Sequence, residues 1–215
     1  MKYKACIFDL DGTLVHSSPE HRYLVVGKTL KKLGTETSRE DIDRFWFEAR
    51  RDEIIEEIFK VNKEQFWSLF RKYDDPKIRL NFTKAYSDVE VIKEIRSAGM
   101  KTGILTGAPI HIANLEIGLL GKENFDVILS THDSEEIKPK PDPSGLIKCL
   151  NFLNVRKGDS LYVGNSDEDI LAAQSAGIYD ILLDRKEHEF PEVNPSLKIN
   201  SLYELRDFLG ISGKN

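Results

Sequence analysis

The segment from Cys6 to Val15 constrains the fold more than any other part of this 215-residue chain. An apolar run that begins near Tyr3 stops at two aspartates, Asp9 and Asp11, and at Gly12. The run predicts a buried β-strand, and the glycine supplies the backbone freedom that a turn needs. Acids at the end of a strand are common in ordinary turns. In an open parallel α/β sheet, however, the same edge is where ligands bind.

Two later segments also place polar side chains where a strand or a stiff loop ends. Lys101 to Gly107 reads as a strand whose last side chain is Thr106, a residue that either forms the turn or donates a hydrogen bond to a ligand. Ile137 to Pro143 contains three prolines and cannot be helical, so it holds Lys138 on a stiff loop. Taken alone, that lysine would be read as an ordinary surface charge.

A further strand and turn lie between Ser160 and Asp169. The strand ends at Gly164, and the helix that follows has a first turn rich in acids. Ser166 and Asp169 have the spacing of an N-terminal helix cap. The same oxygen-rich cluster at a strand end would also suit a hard cation such as Mg²⁺. Both interpretations stay open from the sequence.

Together these segments resemble the four signature motifs of the haloacid dehalogenase superfamily of phosphohydrolases, in the usual order. The first motif, aspartate-x-aspartate-glycine-threonine, is matched in full by residues 9–13. Thr106 matches the second motif, and Lys138 in Lys-Pro-x-Pro-Asp matches the third. Residues 164–169 are similar to the fourth, although Asn165 stands where the common form has aspartate. Several weak motifs in the correct order make this resemblance specific.

The resemblance implies a role for each matched residue. Asp9 would attack phosphorus and form an aspartyl-phosphate intermediate, and Asp11 would act as general acid and base. Thr106, Gly107 and Lys138 would bind the phosphoryl group and offset its charge. Asp11 also argues against cleavage of a carbon–halogen bond, because the dehalogenases of the superfamily lack an acid at this position.

Magnesium is the cofactor that the resemblance implies. Its expected ligands are Asp9, the backbone carbonyl of Asp11, Asn165 and Asp169, which offer the oxygen atoms that Mg²⁺ prefers. An amide carries no net charge, so Asn165 should hold the ion more weakly than an aspartate would, unless Asp167 or Asp169 compensates.

The spacing of apolar residues predicts an α/β fold with a Rossmann-like, doubly wound parallel sheet, because strands alternate with helices. Roughly ninety residues between the first two motifs show helical patterns only, which is far more than a simple crossover needs. We expect an inserted all-helical cap at residues 17–81 and a discontinuous catalytic core at residues 1–16 and 82–215. The aromatic residues of the cap recur at helical spacing, which favours a hydrophobic core over a substrate pocket.

Charge and composition limit the partners. The formal net charge is -5 and no basic cluster is present, which speaks against nucleic acid or an anionic membrane as partner. No apolar run approaches the ~20 residues of a membrane span, so we expect a cytoplasmic protein with its two cysteines reduced. The expected partner is a small phosphorylated metabolite. The sequence gives no indication of the oligomeric state.

The sequence thus predicts a Mg²⁺-dependent phosphatase that acts through an aspartyl-phosphate. Two alternatives stay open at this stage. One is a sugar phosphomutase of the same superfamily, which would return the phosphoryl group to the substrate instead of to water. The other is a catalytically weakened protein that binds phosphate for regulation, which Asn165 suggests.

Overall fold

A computed structural model describes residues 2–48, 50–132, 134, 136–189 and 193–211 of the chain. Residue 49 of the predicted cap lies outside this set, as do residues 1, 133, 135, 190–192 and 212–215 of the predicted core. The chain divides into two compact units. One unit combines Met1–His16 with Lys84–Asn215, and the other is Ser17–Thr83.

The first unit is built on a six-stranded, fully parallel sheet with the strand order β5-β4-β1-β6-β7-β8. The short strands β2 and β3 form a separate two-stranded sheet. In chain order the strands are β1 Ala5–Phe8, β2 Val15–Ser17, β3 Thr83–Ala85, β4 Lys101–Thr106, β5 Val127–Ser130, β6 Ser160–Gly164, β7 Tyr179–Leu183 and β8 Leu197–Ile199. The predicted doubly wound α/β fold is confirmed.

Helices cover both faces of the large sheet, which explains why its strands are apolar on both sides. The helices of the chain are α1 Pro19–Lys32, α2 Arg39–Phe47, α3 Arg51–Glu53, α4 Lys63–Tyr73, α5 Pro76–Leu80, α6 Val91–Ser97, α7 Ile110–Gly118, α8 Ser144–Leu153, α9 Asp167–Ala176 and α10 Leu202–Phe208. Helices α6, α7 and α10 pack in one hydrophobic layer, and α8 and α9 pack in the other. Strand β1 contributes Cys6 and Phe8 to the first layer and Ala5 and Ile7 to the second. Among the described residues, no helix is long and apolar enough to cross a membrane.

The order of the strands places β1 in the middle of the sheet, between β4 and β6. The chain moves from β1 through β4 to β5 on one side, and then crosses over to β6, β7 and β8 on the other. Such a reversal opens a crevice at the carboxyl ends of the central strands. This geometry brings the three motif-bearing strand ends together.

The second unit is helical. It contains α1, α2, α4 and α5, with α3 continuing into one π-helical turn, Ile54–Ile58. Its helices enclose a separate hydrophobic cluster in which Phe45, Phe59 and Phe66 contact one another. The aromatic side chains at helical spacing therefore form a core, as their periodicity favours. Residues 17–81, the predicted cap, lie within this unit.

Candidate active site

Three neighbouring strands end in residues that the motifs single out. Asp9 follows β1, Thr106 closes β4 and Gly164 closes β6. The backbone NH of Asp9 donates to the carbonyl of Val163 at 2.9 Å, which continues the pairing of β1 with β6 one residue beyond the strand. The side chain of Asp9 is almost fully buried. Its position is therefore fixed by the sheet itself.

The buried ammonium group of Lys140 pairs with the Asp9 carboxylate. Lys140 Nζ lies 2.7 Å from Asp9 Oδ1 and 2.6 Å from Asp169 Oδ1, and all three side chains are buried. The Tyr162 hydroxyl lies 3.4 Å from the same nitrogen. A charge this deeply buried requires paired opposite charges, and Lys140 has two.

The expectation that Lys138 is the lysine of this site is wrong, because Lys140 takes that position. Lys138 is exposed, and its backbone NH donates to Ser144 Oγ at 3.0 Å. The two lysines are hard to distinguish in the sequence, because residues 138–141 read Lys-Pro-Lys-Pro and each lysine precedes a proline. What distinguishes them is the tertiary structure, since the ammonium of Lys140 alone reaches the buried carboxylates of Asp9 and Asp169.

Asp169 is a hydrogen-bonding hub. Its Oδ2 accepts hydrogen bonds from the backbone NH of Asn165 at 3.1 Å, and from the NH and hydroxyl of Ser166 at 3.1 and 2.8 Å. Its Oδ1 accepts from Lys140 and, at 2.9 Å, from the Tyr162 hydroxyl. Asp169 and Ser166 form the capping box of α9. This geometry supports the helix-cap interpretation. It favours Asp169 less as a metal ligand than Asp9, because the two oxygens of Asp169 already accept five hydrogen bonds. Metal binding by Asp169 stays a prediction.

The close approach of Asp169 to the end of β6 depends on a glycine. A Cβ atom built on Gly164 would lie 2.3 Å from Asp169 Cγ. No real Cβ contact is that short, so a larger residue would push the carboxylate away from Lys140.

Thr13 links the first and fourth motifs. Its hydroxyl lies 3.1 Å from Asp9 Oδ2 and 3.0 Å from Asn165 Oδ1, and the residue is fully buried. A hydroxyl has one proton, so it can donate to only one of these oxygens at a time. Gly12, with φ of 77°, passes so close to Asn165 that an added Cβ would lie 2.3 Å from the Asn165 amide nitrogen. The motif loop and Asn165 are therefore packed against each other.

The oxygen atoms beside Thr13 suit a hard cation. Asp9 Oδ2 and Asn165 Oδ1 both face the Thr13 hydroxyl, and carboxylate and amide oxygens are ligands that Mg²⁺ accepts. Among the described residues, no group of three or more His, Cys, Asp or Glu side chains is placed to hold a metal ion. The predicted ligand set does not depend on three carboxylates, because Asp11 is expected to contribute its backbone carbonyl and Asn165 its amide oxygen. The set stays a prediction. A magnesium site here would combine Asp9 and Asn165 with backbone carbonyls, among them that of Asp11, and water.

Thr106 and Gly107 lie at the end of β4. The Thr106 hydroxyl accepts a hydrogen bond from the backbone NH of Ala108 at 3.0 Å, which closes the turn. This bond uses the oxygen as acceptor and leaves the hydroxyl proton to be donated to another group. Gly107 is exposed beside it, and Asp11 is half-buried after β1. The turn-forming interpretation of Thr106 and its expected role in binding are thus compatible.

The pKa values of the two buried acids, Asp9 and Asp169, shift in opposite directions. Burial raises the pKa of Asp9 to about 7, against the opposing effect of the Lys140 ammonium. Burial alone would also raise the pKa of Asp169, but the Lys140 ammonium and hydrogen bonds from Ser166 and Tyr162 hold it below its usual value. The pKa of Lys140 is raised because the two carboxylates outweigh its burial. Asp169 therefore keeps its charge, and Asp9 is the acid whose charge an added cation would stabilise most.

Comparison with known proteins assigns the family. Residues 6–182 match the family model described as haloacid dehalogenase-like hydrolase. The chain belongs to this family. Pyrophosphatase PpaX of Bacillus cereus is 31% identical over 185 residues, which cover 82% of this chain and 81% of that protein.

Solved structures of haloacid dehalogenase-like proteins share the fold. The crystal structure of a HAD phosphatase from Thermococcus onnurineus has a TM-score of 0.65 and 26% identity, and the match covers 97% of this chain and 99% of that one. A predicted phosphoglycolate phosphatase from Haemophilus somnus has a TM-score of 0.76 and 19% identity, with the same coverage of 97% and 99%. The chain is therefore a hydrolase of the haloacid dehalogenase-like family.

Proposed function

We propose that this hydrolase is a Mg²⁺-dependent phosphatase that acts on a small phosphorylated metabolite through an aspartyl-phosphate. The observation that carries the proposal is the buried Asp9 carboxylate at the end of the central strand, held by Lys140 on one oxygen and faced by Thr13 on the other. This arrangement keeps an attacking oxygen in a fixed direction, which a phosphoryl transfer requires. The helical unit Ser17–Thr83 would be the family's cap.

In the first step an oxygen of Asp9 forms a bond to phosphorus while the bond from phosphorus to the ester oxygen breaks. Asp11 gives its proton to the departing oxygen, so that an alcohol leaves. Lys140 offsets negative charge on Asp9 and the phosphoryl group, and Thr106 and Gly107 orient that group. Asp9 and Asn165 would hold Mg²⁺, which supplies positive charge against the repulsion between carboxylate and phosphate.

In the second step water attacks the phosphorus of the aspartyl-phosphate. Asp11, now ionised, accepts a proton from that water, and the bond between phosphorus and the Asp9 oxygen breaks. Inorganic phosphate leaves and both aspartates return to their starting states. Asp11 can fill both roles because it is half-buried, whereas Asp9 is buried, and two acids in different surroundings can divide the roles of nucleophile and proton carrier.

The pyrophosphatase name of the Bacillus cereus relative makes inorganic pyrophosphate a specific candidate substrate. Its leaving group is phosphate instead of an alcohol, and the same two steps apply. Release of phosphate from pyrophosphate, para-nitrophenyl phosphate and a panel of phosphorylated metabolites tests the proposal. We expect turnover of at least one substrate with Mg²⁺, and its loss when EDTA removes the ion. Absence of phosphate release from every substrate, with Mg²⁺ present, would contradict a phosphatase.

Changing Asn165 to aspartate is expected to strengthen Mg²⁺ binding, because a carboxylate adds negative charge where the amide has none. The Mg²⁺ concentration for half-maximal activity should fall by about threefold to tenfold, with little change in kcat. A titration of activity with Mg²⁺ measures both quantities.

The matched control for Asn165→Asp is Asp167→Asn, which removes an acid from the first turn of α9. We expect it to leave the Mg²⁺ titration unchanged. A weaker response to Mg²⁺ in Asp167→Asn would show that Asp167 binds the ion. A large loss of kcat in Asn165→Asp would show that the amide has a role other than metal binding.

A further inference from the structure

Arg185 lies two residues beyond β7, in a part of the chain that carries none of the four motifs. Its guanidinium is buried and forms a two-pronged ion pair with Asp88, at 2.7 Å to Oδ2 and 2.9 Å to Oδ1. The nitrogen that binds Asp88 Oδ1, Nη2, also donates to the backbone carbonyl of Thr13 at 2.8 Å. Arg185 therefore contacts the loop that follows Asp9.

The contact with Thr13 matters because this residue is held at both ends. Its hydroxyl faces Asp9 Oδ2 and Asn165 Oδ1, and its carbonyl accepts from Arg185. A shift of the Thr13 backbone would move the hydroxyl away from the carboxylate. The direction of the Asp9 oxygen thus depends on a hydrogen bond made more than 170 residues away in sequence.

The guanidinium is itself fixed by the core. Asp88 Oδ2 also accepts from the backbone NH of Leu202, the first residue of α10. The guanidinium lies over the ring of Tyr86, with 3.8 Å between the guanidinium carbon and the ring centroid. A planar fork can meet a carboxylate, a carbonyl and a ring face together, whereas an ammonium group cannot.

One nitrogen of the Arg185 guanidinium is not used in stabilising the fold. Its Nε is buried and finds no hydrogen-bond partner within the described part of the chain. Burying an unpaired N–H group destabilises a fold, which offsets part of the stability that the Asp88 ion pair and the Tyr86 contact provide. The fork geometry towards Thr13 is what arginine provides in exchange.

We propose that Arg185 is a positioning residue for the phosphoryl transfer, acting through Thr13 on Asp9. The inference rests on the proposed phosphatase function. Arg185 does not contact the reacting atoms; it keeps the loop of the attacking carboxylate in register with Lys140. Small displacements of an attacking group have large effects on rate, so losing this contact should lower kcat more than it changes KM.

The test compares Arg185→Lys with Arg96→Lys, assayed with Mg²⁺ on the best substrate of the wild-type protein, below the unfolding midpoint of each variant. Arg96 is the matched control, because it also joins an aspartate to a threonine, with 2.7 Å to Asp126 Oδ2 and 2.9 Å to Thr102 Oγ1. We expect Arg185→Lys to lower kcat about tenfold with KM within about twofold. Arg96→Lys should leave both within about twofold.

A second variant, Arg185→Ala, leaves space that free guanidinium can fill. We expect millimolar guanidinium chloride to restore part of its kcat and sodium chloride at equal ionic strength to restore none. If kcat of Arg185→Lys equals the wild-type value, or falls no further than that of Arg96→Lys, the inference is overturned. A wild-type protein that releases no phosphate from any substrate would instead contradict the proposed function.

Discussion

Replacing Lys140 with glutamine is expected to lower kcat/KM at least about 100-fold, because the ammonium offsets negative charge in the transition state. Glutamine is of similar length but neutral. It leaves the buried carboxylates of Asp9 and Asp169 facing each other without a cation. Breaking a buried pair in this way destabilises a fold by roughly 3–5 kcal/mol, so the unfolding midpoint should fall as well. Phosphate release and thermal unfolding measure the two effects.

Lys138→Gln is the matched control, since it makes the same chemical change two residues away on the same loop. Lys138 is exposed and lies outside the buried charge cluster. Its variant should keep kcat/KM within about twofold and unfold at the wild-type temperature. The opposite pattern, with activity lost in Lys138→Gln and kept in Lys140→Gln, would restore the assignment that the motif alone suggested.

This pair of lysines shows where sequence reasoning stops. The prolines and the order of the motifs correctly predict a stiff loop that brings a lysine to the site. They do not say which lysine, because both precede a proline and the choice depends on which ammonium reaches the end of β1. A charged side chain is buried only when partners from other segments meet it. Those partners, Asp9 and Asp169, are separated by 160 residues in sequence.

Asp169 presents a similar ambiguity. An acid three residues after a serine at a helix start fits both a capping box and a metal site. The structure supports the cap, because Asn165 and Ser166 donate hydrogen bonds to one carboxylate oxygen of Asp169. Arg185 was not predicted at all, since an arginine in a polar loop carries no pattern that would link it to Thr13.

The fold was more predictable than the site. Apolar runs located the main strands, and alternation with helices gave the parallel sheet, because burial on both faces leaves a strong local signal. The three-residue strands β2, β3 and β8 were missed, since segments so short contain too few residues for a period to show. The helical pattern that follows α1 is divided by an extended backbone at Glu48, where local periodicity gives no warning.

Replacing Asp9 with asparagine is expected to reduce turnover at least about 1000-fold, because an amide cannot attack phosphorus. The fold should survive, since the asparagine oxygen can still accept a hydrogen bond from Lys140. Without metal at high pH, the Asp9→Asn variant should even be more stable than the wild-type protein. The pKa of Asp9 is raised from 3.8 to about 7 in the folded chain, so the wild-type protein loses stability as pH rises through this window. Asparagine does not ionise, so the variant does not lose stability in this pH range.

The matched control for Asp9→Asn is Asp126→Asn, for which the effect on stability has the opposite sign and no effect on turnover is expected. Arg96 and the backbone NH of Thr102 outweigh the burial of Asp126 and lower its pKa, so its carboxylate stabilises the fold above pH 3.8. Asp126→Asn should therefore unfold at a lower temperature at pH 8 and keep its kcat. Asp9→Asn should unfold no lower than the wild-type protein and lose its kcat. Thermal unfolding in EDTA at pH 4 to 8, together with phosphate release in Mg²⁺, separates the two; turnover retained by Asp9→Asn would mean that another group attacks phosphorus.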